Sequence, residues 1–186
     1  MTVDLSEADL VARMRNFEDH LVERKTIKDE KDWKRTAVAF ANSAPVGLPA
    51  VLYIGVRDNG EIETPQRELE EIQKQFNAQM TRVYPRVAYV PKIFAVNGHQ
   101  ALAVVIPGSA SRPHFAGLAF IRRGSESIEA SEEQFSSLIA QRNSKTAHIL
   151  GWKGKEVTLV NVTRSDYGEG VDPWPEYTSV TDCNQF

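Results

Sequence analysis

The sequence predicts one α+β domain, and three observations carry that prediction. Ala50-Val-Leu-Tyr-Ile-Gly-Val56 is an almost unbroken apolar run of strand length, as expected of a strand covered on both faces. Asn97-Gly98 stands between two further β-type stretches, Lys92–Val96 and Gln100–Ile106, and this dipeptide suits a tight turn with positive φ at both central residues. Around these strands, apolar residues recur at helical spacing.

Each element follows in chain order. Leu10, Met14 and Phe17 fall at helical intervals after Ser6, which predicts a short capped helix to about Asn16. Leu21–Ile27 alternates weakly and reads as a strand. A second helix starts near Asp29, carries Trp33, Ala37, Phe40 and Ala41 on one stripe, and is stopped by Pro45 and Pro49. After the apolar strand, Asp58-Asn-Gly60 turns the chain. Thr64-Pro65 is expected to open a third helix with proline at its first position and Leu69, Ile72 and Phe76 inward. Val87–Ile106 reads as β structure, and Leu118–Arg123 as a further strand. Ser131-Glu-Glu-Gln134 matches a capping box and starts a helix with Phe135, Leu138 and Ile139 inward. Glu156–Val162 is expected to add one strand, with irregular structure beyond Arg164.

Composition bounds the function. The 186 residues include 41% hydrophobic and 25% charged ones, ordinary for a globular domain and unlike a disordered chain. The lone Cys183 excludes a disulfide framework and a cysteine-based zinc cluster. The acidic N-terminus lacks a signal peptide's basic and apolar blocks, and no apolar run approaches the roughly 18 residues of a membrane span. A cytoplasmic protein without membrane attachment is expected. The formal charge of −3 argues against nucleic acid, but its distribution does not. From Ile72 to Ser125 there is no Asp or Glu, while Lys74, Arg82, Arg86, Lys92, Arg112, Arg122 and Arg123 fall there. Such segregation lets a small chain present one basic face.

No phosphate-binding loop, dinucleotide fingerprint, zinc-protease motif or serine elbow is present. The histidines, His20, His99, His114 and His148, lack zinc-ligand spacing and read as surface or hairpin residues. The carboxylates are more informative. Asp58 ends the most apolar strand, where the backbone is fixed and the loop is wet. Glu23 and Lys25, two apart, share one strand face. Glu18, five before Glu23, joins them only if a turn intervenes. Carboxylates meeting near one lysine repel unless a hard cation sits among them, and Mg²⁺ or Mn²⁺ takes such oxygen ligands. Ordinary solvated carboxylates are the competing reading. Arg112, Arg122 and Arg123 lie at loops and strand ends, suited to phosphate contacts. Tyr84, Tyr89, Phe94 and Phe115 are interleaved with the basic residues, where stacking on bases competes with simple core packing.

Four boxes then stand in a familiar order. Phe17-Glu-Asp-His-Leu-Val-Glu-Arg-Lys25 resembles the E-x4-E-x-K opening of the Schlafen AlbA-2 domain. Ala37-Val-Ala-Phe-Ala-Asn-Ser43, Tyr53-Ile-Gly-Val-Arg-Asp-Asn-Gly60, and Phe120-Ile-Arg-Arg-Gly-Ser-Glu-Ser127 with Ala130-Ser-Glu-Glu133 are similar to its later boxes. The resemblance runs from about Glu18 to Arg142. Two departures stand out: Asn42-Ser-Ala-Pro-Val-Gly-Leu-Pro49 replaces the usual Gly-Gly continuation, and the zinc ligands of the larger nucleases are missing.

The resemblance implies an AlbA-2-like single domain over residues 1–142, its sheet mixed and largely antiparallel with helices packed on it. Residues 143–186 would complete it as a strand and irregular tail. It implies a metal-dependent endoribonuclease acting on tRNA or similar structured RNA. Glu18, Glu23 and Asp58 would be the catalytic trio holding Mg²⁺ or Mn²⁺, with Lys25 at the phosphate. Arg57, Arg112, Arg122 and Arg123 would track the backbone by shape and charge. One lobe of this size would form the family's two-lobed groove as a homodimer. The alternative is a non-catalytic, regulatory DNA- or RNA-binding module. A third reading is a protein–protein module whose acid-free segment meets an acidic partner.

Overall fold

A computed structural model of the chain describes residues 5–150, apart from 17, 47 and 65–67. The chain divides into two compact units, Met1–Arg142 and Asn143–Phe186. The first holds four strands in one sheet, ordered β1-β2-β4-β3: β1 (Val22–Lys25), β2 (Pro49–Ile54), β3 (Val90–Val96) and β4 (His99–Pro107). Only β1 and β2 run parallel, joined through helix α2 (Glu30–Ser43) as a crossover; the other two pairings are antiparallel. A second, antiparallel sheet holds β5 (Phe115–Ala116), β6 (Leu118–Arg123) and β7 (Glu126–Glu129). The fold is therefore α+β, with a mixed and mostly antiparallel main sheet.

The period of two along β2 sends its side chains into two cores, and all six of its residues are buried. On one face Ala50, Leu52 and Ile54 meet Trp33, Ala37 and Phe40 of α2 and Ile72 and Phe76 of α3 (Leu69–Met80). On the other, Val51 and Tyr53 meet Leu10 and Met14 of α1 (Glu7–Arg15) and Phe94 of β3. Each fully buried Leu or Ile side chain in these cores contributes about 1.5–3 kcal/mol. The apolar run is thus an inner strand, and its lack of alternation follows from helices on both sides.

Local chemistry sets several boundaries as expected. Ser6 and Asp9 form a reciprocal capping box at α1, and Ser131 with Gln134 does the same before α4 (Glu132–Leu150). Asn97 and Gly98 both have positive φ, at 52° and 79°, and β3 and β4 pair in register directly across them.

Other expectations fare differently. The third helix is α3, Leu69–Met80, preceded by Glu68; its expected opening at Thr64-Pro65 runs into residues outside the described ones. The weak strand ends at Lys25, and Ile27–Asp29 turns as a short 3₁₀ helix with the Asp29 carboxylate accepting from the Thr26 N–H and hydroxyl. Of the inward stripe expected on α4, Leu138 is buried but Ile139 is exposed. β5 and β7 go beyond the expectation, because two residues of β5 are too short a run and β7 is too polar to stand out by pattern. Phe17, Pro65, the strand expected at Glu156–Val162 and the tail after Arg164 lie outside the described residues. No helix among the described residues is long and apolar enough to cross a membrane.

Candidate functional site

A cleft with room for about 390 Å³ opens where β1, α2, the turn after β2 and the β6–β7 hairpin meet. Glu18, Glu23, Lys25 and Asp58 all line it, so the four residues singled out from the sequence do come together. The chain turns between Glu18 and β1, which resolves the odd offset between Glu18 and Glu23. Glu18 Oε1 accepts the Arg24 N–H at 2.7 Å, along the outer edge of β1. The Arg24 guanidinium lies 4.0 Å from the same Glu18 oxygen. It donates to the carbonyls of Met14, Asn16 and Asp58, tying the end of α1 and the Asp58 turn to β1.

Glu23 is the most constrained of the four. Lys25 Nζ lies 2.5 Å from its Oε1, on the shared strand face. Arg122 Nη2 of β6 lies 2.8 Å from its Oε2, an ion pair that misses hydrogen-bond alignment, so Oε2 has no hydrogen bond and Arg122 Nε has no acceptor. Arg122 is buried, with its guanidinium 4.8 Å from the centre of the Phe40 ring, and it also reaches the Asp19 carbonyl and the Ser127 hydroxyl.

Electrostatics follows from these contacts. Partial burial raises the Glu18 carboxyl above its ordinary range, opposed by the Arg24 N–H and assisted by the Glu23 charge. Burial alone would lower Lys25, but the hydrogen bond and charge of Glu23, with Glu18 and Asp29, raise it. Lys25 is therefore a firmly held ammonium.

The basic residues are placed very differently from one another. Arg57 is exposed beside Asp58, 3.9 Å from Glu61, and Arg123 is exposed. Arg122 lies beneath the surface rather than on it, because Glu23 and Phe40 hold it. Arg112 is half-buried, donating to the carbonyls of Ser109 and Ala44. Neither displays its guanidinium in the way a phosphate-tracking arginine requires.

Sequence reasoning missed Asp32, Arg35, Ser125, Glu126 and Ser127, which also line the cleft. Asp32 and Arg35 are three apart on the exposed side of α2, a spacing that puts them on one face. Ser125–Ser127 follow the arginine pair after Gly124, inside the last sequence box. It also missed His114, expected at the surface. His114 is fully buried, with Nδ1 2.7 Å from the Pro85 carbonyl and Nε2 2.7 Å from the Ser109 hydroxyl.

A hard divalent cation can be weighed against this geometry. Carboxylate oxygens are the donors Mg²⁺ and Mn²⁺ prefer, and Glu18 and Asp58 bring them to the cleft, whereas Glu23 Oε2 already faces the Arg122 guanidinium. Among the described residues, however, no three His, Cys, Asp or Glu side chains are placed to clasp one ion. The donors suit a cation held by one or two carboxylates, water and a substrate phosphate, the usual mode for Mg²⁺. They do not suit a closed three-carboxylate cage.

Comparison with known proteins adds a family. The model described as Schlafen, AlbA_2 matches residues 18–131 of the 186. Among solved structures, the N-terminal domain of an ATP-dependent DNA helicase RecG-related protein of Nitrosomonas europaea aligns at 21% identity and TM-score 0.45. That alignment covers 57% of this chain and 75% of the other. A protein of Corynebacterium diphtheriae aligns at 19% identity and TM-score 0.45, over 66% of this chain and 24% of its own. No curated protein matches significantly.

Proposed function

The chain belongs to the Schlafen AlbA_2 family, and from that membership and the cleft we propose that it acts on nucleic acid, as a metal-dependent endoribonuclease on tRNA or similarly folded RNA. One observation carries this reading. Glu18, Glu23, Lys25 and Asp58, drawn from a turn, a strand edge and a second turn, line a single cleft.

The charge balance of that cleft favours hydrolysis over simple binding. The acids Glu18, Glu23, Asp32, Asp58 and Glu126 outnumber Lys25 and Arg35 along its lining. A phosphodiester entering alone would meet excess negative charge. A divalent cation, when bound, offsets that charge and activates water. Glu18 and Asp58 are the residues that would hold it, while both oxygens of Glu23 are already paired with Lys25 and Arg122. The Lys25 ammonium supplies a fixed positive charge to the entering phosphate, and Arg57 and Arg123 offer exposed guanidinium groups for the flanking backbone.

Incubation of total tRNA with the full chain and Mn²⁺ tests the proposal. Wild type is expected to nick RNA, and Asp58→Asn and Glu18→Gln to lower the rate by about a hundredfold or more with unchanged circular dichroism. Glu23 is avoided, because removing it strands the buried Arg122. A wild type that binds RNA, does not cut it, and binds equally well after both changes is a binding module instead. Salt-sensitive binding would then be the signature.

A further inference from the structure

The acid-free stretch carries aromatic residues that the cleft does not use. Two of them are spent on packing. Phe94 is buried, and Tyr89 lies edge-on to Phe76 and hydrogen-bonds Asn77 Oδ1. Tyr84 differs: it is 66% exposed.

Its neighbours explain why it stays out. Val83 and Val87 are buried in the main core and bolt the segment down, while Arg82, Tyr84 and Arg86 are exposed. The backbone is fixed as well. The Tyr84 N–H donates to the Phe115 carbonyl at 2.9 Å, and the Phe115 N–H donates back at 2.8 Å. The Tyr84 and Phe115 rings meet edge to face, with centroids 6.0 Å apart. Neither Arg82 nor Arg86 forms an ion pair with another described residue, and no acid lies between Ile72 and Ser125 in the sequence.

We propose that Tyr84, flanked by Arg82 and Arg86, is a docking point for an unpaired nucleobase of an RNA strand. The base stacks on the phenol ring, and the two guanidinium groups meet the neighbouring phosphates. Stacking of this kind tolerates any base, because every base has a π-face. A ring with two side-chain torsions on a fixed backbone loses little entropy when it is covered. Tyr84 is bridged to β5, in the sheet whose β6–β7 hairpin walls the cleft, so one small sheet would serve both contacts. This inference rests on the nucleic-acid reading above and adds to it the contact that selects unpaired RNA.

Fluorescence anisotropy with a labelled short oligouridine and a blunt RNA duplex, without divalent metal, tests it. Tyr84→Ala is expected to weaken oligouridine binding about tenfold and leave the duplex unchanged. Tyr84→Phe should bind as wild type does, since the ring is kept. Arg82→Gln and Arg86→Gln should each lower the slope of log affinity against log salt by about 0.7. A 4-thiouridine strand should crosslink to residues 81–87. Unchanged binding by Tyr84→Ala, or crosslinks only elsewhere, overturns the docking point while the nucleic-acid reading stands. Equal loss in Tyr84→Phe and Tyr84→Ala overturns stacking. A wild type that binds neither RNA at low salt overturns both readings.

Discussion

Glu23 Oε2 and Arg122 Nη2 lie 2.8 Å apart, with both side chains almost wholly excluded from water. The pair joins β1 of the main sheet to β6 of the small one, so it links the wall of the cleft to the sheet that carries its hairpin. Two desolvated charges of this kind add little net stability as a pair, but each depends heavily on the other.

Removing one partner should therefore be severe. Glu23→Gln is expected to cost about 3–5 kcal/mol in urea unfolding, because the buried Arg122 loses its carboxylate, and Arg122→Met less, because Lys25 still pairs with Glu23. The double change should cost clearly less than the two single losses added together. Strict additivity would show that the two side chains do not depend on one another.

Asn42 is a second tie, from α2 to the segment that carries the small sheet. Its amide donates to the carbonyls of His114 and Phe120, and its Oδ1 accepts the His114 N–H at 2.7 Å. Asn42→Leu strands three backbone groups, at about 1–3 kcal/mol for each one left unsatisfied. Thermal unfolding should show a large loss, and Asn42→Asp, which sets a buried carboxylate oxygen against the His114 and Phe120 carbonyls, should be at least as damaging.

Glu18 gives a pH signature. Its carboxyl is raised in the folded state, so the fold holds the proton more tightly than the unfolded chain does. The stability it supplies is therefore greatest below the ordinary carboxylate range and is lost as pH rises through the raised value. Glu18→Gln should raise the urea midpoint at neutral pH, and the gain should vanish below about pH 4.5. A gain that persists in acid would point to packing rather than charge.

His114 works in the opposite sense. Burial lowers its pKa, with the Pro85 carbonyl opposing and Arg112 and Arg142 assisting, so the fold prefers the neutral ring. Its contribution is present above the ordinary value of about 6.5 and is lost as pH falls through it. Urea midpoints measured from pH 8 to pH 5 should decline in wild type, and more shallowly in His114→Gln. Equal slopes would mean that another group titrates.

The Ala37–Ser43 box shows how a sequence signal can be legible without its reason. Its alanines and Phe40 pack on the main sheet at helical spacing, which periodicity reveals. Its last two residues point elsewhere: Asn42 clamps His114 and Phe120, and the Ser43 hydroxyl accepts the Arg122 N–H at 2.8 Å. Those partners lie far along the chain, beyond the reach of spacing rules. The cleft divides in the same way. Glu23 and Lys25 share a face because a strand repeats every two residues.

By itself, the sequence determined the α+β class, an apolar inner strand within Ala50–Val56, the Asn97-Gly98 hairpin, the Ser6 cap and the Ser131 capping box, whereas the four residues of the cleft are singled out together through the resemblance to a family. The local features rest on interactions within a few residues or on a repeating period. Only the tertiary structure decided the rest. It added β5 and β7, buried His114, and turned Arg122 from an expected phosphate contact into the partner of Glu23. It also left Tyr84 exposed while Phe94, equally apolar in pattern, went inside. The physical reason is desolvation. Whether a charge or ring stays in water depends on which distant segment packs over it, and local spacing does not encode that.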